Sequence, residues 1–526
     1  MRDTKAQGRM RRALVLTAIA AVTTIGVGSL SGCRVDESDV ERWGTTLQGP
    51  NKLVAVVTHD KYELELRQRA ALELATMKPR GGRRVGIGAL VNALASLPVE
   101  ERDHILAGLV PKLLEGMKTA PTQTDKRVTD ASIPYKDTAF ALLSYEKTPL
   151  ITDEAQRKQV IQALIEWATS HFDVRLSAPG QTYSMEQVMR FIGPEAVKPL
   201  PALITGEDSK YERIASLVAE LGDGPTKEEA AKKLVDMAKY VASKEWVDKT
   251  KPQIEAANKA SNLEVKPAQL EAQVTQYQDE SLTRIFGALR KIDARNAVEF
   301  CLSYAANPAN SEKRRLAAVA ALEGRLDQNN PKDVERILAL ATANDTPDAV
   351  RDLAFARVGE MPREKVVGEL YALFTAKNWK LRAVSAQTVL KMSTPAHIAE
   401  FMAKLPGGAS PGFAVSEPLF YGQALAQMAP ANGKTARDEL LPFLKSGSTA
   451  ARLTALGYFY VAGTAKDLDV VSVLASDKTP TPKVDDDDAK WQCDVQKAPD
   501  SVETVTVSTI GDFVRLCVEP QMKTRT

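Results

Sequence analysis

Histidine and cysteine, the side chains that most often build metal centres and nucleophilic dyads, are scarce: four of each in 526 residues. His59, His104, His171 and His397 are far apart, and Cys-x-x-Cys and His-Glu-x-x-His do not occur. Nor is there a complete Gly-x-x-x-x-Gly-Lys-Ser/Thr phosphate loop. These gaps exclude the recognisable zinc, redox and nucleotide-phosphate signatures, and no cofactor or metal is called for. An excess of one charge is also missing. Lys plus Arg is 69 against 67 for Asp plus Glu, a net +2 that invites no nucleic acid. Aromatics are only 6 %, and past the first 33 residues no apolar run has membrane-spanning length, so a polytopic membrane protein is excluded. What is present is 44 % apolar and 26 % charged residues, rich in Ala and Leu, the make-up of a helical globular chain.

The first 33 residues carry an address. Arg2, Lys5, Arg9, Arg11 and Arg12 precede an uncharged stretch from Ala13 to Gly32, the pattern of an export leader. It ends Leu30-Ser31-Gly32-Cys33, which resembles the lipobox of bacterial lipoproteins. The resemblance implies acylation of Cys33 and cleavage before it. Several acyl chains on one residue anchor firmly where a single chain does not. A transmembrane anchor is the competing reading, opposed by the Thr, Ser and Gly within the stretch. Loss of residues 1–32 removes five bases and one acid and moves the net charge from +2 to −2. Arg34 stands where an inner-membrane retention signal would show Asp, so the resemblance points to the outer membrane, facing the periplasm or the cell surface.

Export agrees with the remaining cysteines. Cys301 lies in the apolar run Val298-Glu299-Phe300-Cys301-Leu302 and reads as a buried thiol. Cys493 and Cys517, 24 residues apart, can pair in an oxidising compartment, the alternative being two unpaired core thiols.

The body of the chain repeats itself. With Arg67, Arg213, Arg315, Arg351, Arg382 and Arg452 as position zero, three residues on stand Ala70, Ser216, Ala318, Ala354, Ser385 and Ala455, all small. Four on are Ala71, Leu217, Val319, Phe355, Ala386 and Leu456, and position seven is apolar in all windows but the one holding Glu220. Offsets of 3, 4 and 7 mark one helix face, with a small residue where a neighbouring helix comes close. A breaker and a second amphipathic stretch follow, as at Gly359 and Pro362 or Thr394-Pro395. From Arg315 to Arg351 is 36 residues, and from Arg351 to Arg382 is 31. The windows beginning at Arg315, Arg351, Arg382 and Arg452 resemble HEAT repeats, as does the turn Ile192-Gly193-Pro194. That resemblance implies an all-α fold, an α-solenoid of roughly nine or ten stacked antiparallel helix pairs with a concave binding wall. The family's inter-repeat Asp is present cleanly only as Asp345, so stacking is expected to rest mainly on apolar contacts.

The expected organisation is a leader over 1–32, a lipidated tether over 33–50 and helical repeats over 51–243. A helical insertion or joint over 244–281 and further repeats over 282–476 follow, then an acidic loop with a disulfide-held capping helix over 477–526. Residues 118–133 read as a loop. Arg80, Arg83 and Arg84, around Gly81-Gly82, are a weak anion-site candidate, with an ordinary solvated loop as the alternative. Asp485–Asp488 reads as a solvated charge run rather than a calcium loop. Tyr458 and Tyr460 are either an aromatic binding patch or half-buried rim residues. No catalytic residue is identified. The expected function is a lipid-anchored scaffold that binds another envelope protein. An envelope hydrolase or lyase with its site in the groove is one alternative, and a purely structural envelope role is another.

Overall fold

A computed structural model describes residues 35–124, 127–146, 148–405, 417–481, 491–498 and 501–525. The leader, Cys33 and Asp485–Asp488 lie outside them. The described chain is helical apart from two short hairpins, and no helix in it is long and apolar enough to cross a membrane. It divides into two compact units. One comprises the chain up to Thr119 with Ala131–Val160 and Gly180–Thr182. The other comprises Ala120–Asp130, Ile161–Pro179 and everything from Tyr183 on.

The first unit contains α1 (Glu37–Thr45), α2 (Gly49–Thr58), α3 (Leu64–Thr76), α4 (Val85–Ser96), α5 (Val99–Met117) and α6 (Ile133–Leu143). Its centre is α3, which packs on all five others. Ala70, Ala71, Leu74 and Ala75 are buried there, and the small side chains allow the close approach. The segment expected as a tether over 33–50 is helical from Glu37. The Asp36 carboxylate accepts from the Asp39 N–H at 3.1 Å, and Glu37 and Asp39 suit the positive end of the helix.

The loop expected over 118–133 contains a hairpin, β1 (Thr122–Thr124) paired antiparallel with β2 (Arg127–Thr129), in which β-branched Thr and Val suit the extended backbone. The chain continues through α7 (Glu154–Ser170), α8 (Phe172–Arg175), α9 (Met185–Ile192), α10 (Pro194–Val197), α11 (Tyr211–Leu221), α12 (Gly224–Val241), α13 (Lys244–Ala260) and α14 (Pro267–Lys291). Gly193, at φ +84°, makes the turn between α9 and α10. Helix α14 runs through residue 281 without a break, so the boundary expected there does not exist. No proline lies between Pro267 and Ile292, and its polar first half is braced on α13, where Asn258 donates to Gln273 at 2.8 Å.

From here the pairing is regular. The helices are α15 (Arg295–Ala306), α16 (Glu312–Ala320), α17 (Pro331–Thr342), α18 (Asp348–Val358), α19 (Arg363–Ala372), α20 (Trp379–Lys391), α21 (Ile398–Lys404), α22 (Glu417–Ala426), α23 (Ala436–Leu440) and α24 (Thr449–Ala462). One row forms as α11, α14, α16, α18, α20, α22 and α24, each packed on the next. A second row begins α12, α15, α17. Sequence neighbours are therefore space neighbours, and each hairpin buries its apolar stripe on the adjacent one: this is an α-solenoid. Helices α22 and α24 pack backbone against backbone, and a Cβ built on Gly422 would collide with the Gly457 carbonyl group.

The repeat arginines lie on α11, α16, α18, α20 and α24 of this row and, in the first unit, on α3. Five of them tie neighbouring helices together. Arg67 donates to the Val57 carbonyl at 2.9 Å, and Arg315 to Ala305 at 2.7 Å. Arg351 donates to Ala343 at 3.1 Å, Arg382 to Ala376 at 2.6 Å and Arg452 to Ser446 at 2.7 Å. Each accepting carbonyl lies at the end of the preceding helix or of the short 3-10 turn that follows it, where a cation is favoured. Four of the five also reach forward: Arg67 to Glu101, Arg315 to Thr346, Arg382 to Glu417 and Arg452 to Thr479. To the mainly apolar stacking expected from the sequence the structure thus adds polar rungs. Asp345 is not the rung; the arginines are. Arg213 differs, being exposed and paired with Glu186.

At the end lie α25 (Leu468–Val471), β3 (Trp491–Ala498), β4 (Ser501–Val507), α26 (Ile510–Asp512) and α27 (Glu519–Lys523), the last two parts of one helical run over 510–523. Cys493 lies in a strand, not the loop expected for it, and Trp491, Cys493 and Val495 face inward in alternation. Cys493 and Cys517 are joined, with Cα atoms 6.2 Å apart.

Candidate binding site

The residues brought together most suggestively come from a region without a sequence motif. Helix α12 presents Lys233, Asp236, Met237 and Tyr240, spaced 0, 3, 4 and 7. Helix α13 presents Trp246, Lys249, Thr250 and Gln253 with the same spacing, so each set is one helix face. Ser243 fixes the turn between them: its hydroxyl donates to the Tyr240 carbonyl at 2.6 Å and accepts from the Trp246 N–H at 3.3 Å. Tyr277 from α14 closes the third side, and Gln278 beside it donates to the Val241 carbonyl at 2.6 Å. The segment before α11 adds Glu207 and Asp208. The result is a cleft of about 600 Å³.

Its floor is aromatic. The Trp246 and Tyr277 rings stack with centroids 5.6 Å apart and planes at 30°. Trp246 is buried and its indole N–H donates to Glu207, whereas Tyr277 is 45 % exposed. Lys249 lies 6.0 Å from the Tyr240 ring. Next to the cleft, burial pushes the Tyr211 hydroxyl up to about 12, and the Arg284 guanidinium covers its ring at 5.6 Å. The walls thus offer lysines, carboxylates and an amide around an apolar platform. That suits recognition of a mixed polar and aromatic surface. His, Cys and Ser are missing from the lining, and among the described residues no group of three His, Cys, Asp or Glu side chains is placed to hold a metal.

The residues singled out from sequence are placed elsewhere. Arg80, Arg83 and Arg84 do not converge. Arg80 donates to the Thr46 and Leu47 carbonyls, and Arg83 is exposed. Arg84 lies 3.5 Å from buried Asp137 and donates to the Gly180 carbonyl. Tyr460 donates to the Asp494 carbonyl and stacks on Phe513 at 6.2 Å, so it secures the terminal hairpin. Cys301 is buried, and desolvation pushes its thiol up to about 12. Sequence reasoning passed over Trp246 and Tyr277. The available signal was a lone Trp on the otherwise polar helix α13, but its partner stands 31 residues away.

No family model and no curated protein sequence matches the chain. Among solved structures it is similar to an engineered protein at 16 % identity, covering 82 % of this chain and 95 % of that one, with a TM-score of 0.22. It is also similar to the karyopherin Kap121p bound to the SUMO protease Ulp1p, at 12 % identity, 84 % and 43 % coverage and a TM-score of 0.31. A third similarity is to a homology model of the AP-3 complex, at 14 % identity, 84 % and 70 % coverage and a TM-score of 0.25. The chain spans less than half the length of the Kap121p chain in that complex.

Proposed function

We propose that this chain is an exported, lipid-anchored solenoid scaffold that docks another cell-envelope protein in the α12–α14 cleft. The observation that carries the reading is the convergence of two helix faces on the Trp246–Tyr277 stack, flanked by charges of both signs. Aromatic anchors with a polar rim are the usual energetic centre of a protein interface. The lipobox-like Leu30-Ser31-Gly32-Cys33 supports the anchor. A photo-crosslinking side chain at Gln253 of the full-length protein, expressed in the source bacterium, is expected to capture one envelope protein. The Tyr277→Ala variant is expected to lose that adduct. Absence of any adduct across repeated captures overturns the docking reading. Palmitate incorporation in wild type but not in Cys33→Ala tests the anchor, and equal labelling refutes it.

The enzyme reading draws on Glu207, Asp208 and Asp236 sharing that cleft. It requires turnover of an envelope polymer that Asp208→Asn or Asp236→Asn abolishes while crosslinking at Gln253 persists. The hydrogen bond from Trp246 to Glu207 favours binding over chemistry, because it occupies the carboxylate with a structural partner.

A further inference from the structure

We infer that the turn between α1 and α2, with the basic turn that Arg80 hooks onto it, lies on an anionic phospholipid bilayer. The inference rests on the lipid-anchor reading for its geometry. Acyl chains on Cys33 would occupy the hydrocarbon and hold its backbone at headgroup level. Helix α1 begins at Glu37, capped by Asp36, so only three residue steps separate Cys33 from an ordered cap. Three residues reach at most about 11 Å. The nine residues of α1 add about 14 Å. The end of α1 is therefore within about 25 Å of the anchor even if the helix stands upright, and at the surface if it lies flat.

That end of α1 has the chemistry of a membrane contact. Leu47, in the α1–α2 turn, is 84 % exposed, the most exposed large apolar side chain among the described residues. Trp43 precedes it, with the Lys52 ammonium 5.1 Å from its ring. An apolar tip, an indole and flanking cations are what interfacial anchors use. Arg80 donates to the Thr46 and Leu47 carbonyls, the latter at 2.9 Å. The tight turn at Gly81 and Gly82, with φ of +55° and +77°, then presents Arg83 to solvent. No acid occurs between Met77 and Gly88. The nearby acids on α1 are partly neutralised, Asp39 by Arg42 and Glu41 by Arg69. Lys52 and Arg83 thus remain to meet anionic headgroups.

The test uses the full-length protein in vesicles of phosphatidylethanolamine and phosphatidylglycerol. An environment-sensitive fluorophore is placed at Leu47→Cys, where exposure makes the change structurally mild. Headgroup spin-labelled lipid is expected to quench it. Adding Lys52→Glu with Arg83→Glu is expected to reduce that loss of emission, and high salt to do the same. Unquenched emission at position 47, in protein whose circular dichroism is unchanged, overturns the inference. The mass of the N-terminal peptide reports acylation separately. An acylated but unquenched protein sinks this inference alone; a quenched but unacylated one sinks only the anchor.

Discussion

At the residue scale the most informative groups are the buried arginines. Arg382 and Glu417 are 2 % and 0 % exposed at their side chains, 3.2 Å apart, and Tyr421 donates to the same carboxylate at 3.0 Å. Truncating one member of such a pair leaves the other charge buried without compensation. Arg382→Ala is therefore expected to cost about 3–5 kcal/mol in urea unfolding, while Arg213→Ala at the exposed position costs less than about 1 kcal/mol. Equal losses would show that the arginine rungs contribute nothing beyond surface pairing. Acid sensitivity has a local source at Asp333. Burial raises the Asp333 carboxyl, but the Arg295 guanidinium, at 2.5 and 2.6 Å, and the Asp327 N–H outweigh it and hold it below its ordinary 3.8. The unfolded chain thus binds this proton more readily. The pair's stabilisation is complete above pH 3.8 and is lost as pH falls through the lower folded value. Asp333→Asn is expected to flatten stability against pH in that acid window and nowhere else.

At the scale of elements, legibility followed periodicity. The windows at Arg315, Arg351, Arg382 and Arg452 were readable because a small residue at +3 and apolar ones at +4 and +7 reflect a real helix face. The polar half of their function was not, since the accepting groups are mainly backbone carbonyls, which no side-chain pattern encodes. The terminal hairpin left a trace, Trp491-Cys493-Val495 at period two, but three positions beside an acidic stretch read equally well as loop. The cleft was invisible because its three helices meet only through tertiary packing. Two predictions belong here. Reducing and blocking Cys493 and Cys517 removes a cross-link spanning 24 residues and is expected to cost about 3–4 kcal/mol in the chain-entropy account, read as loss of protection in β3 and the 510–523 run. Gly422→Ala is expected to force α22 from α24, because the added methyl collides with Gly457 backbone, which cannot rotate aside as a side chain can. A melting temperature unchanged from wild type would contradict that contact.

At the scale of the whole molecule, nearest-neighbour packing makes stability local. In the second unit Phe355 is 1 % exposed on α18, which packs against α16 and α20. Phe355→Ala is expected to cost about 3–5 kcal/mol and to raise hydrogen exchange in α16 to α20 while α11 and α12 keep their protection. Uniform loss along the unit would mean that it unfolds as one cooperative body.

The seclusion of Cys301 has a consequence of the same reach. A sulfur attacks a disulfide only as an exposed thiolate, and this one is neither exposed nor readily deprotonated. Once folded, Cys301 is no rival for the Cys493–Cys517 bond and cannot scramble it. Before folding, its sulfur competes with those two, so the order in which helices close over position 301 decides whether the correct partners meet.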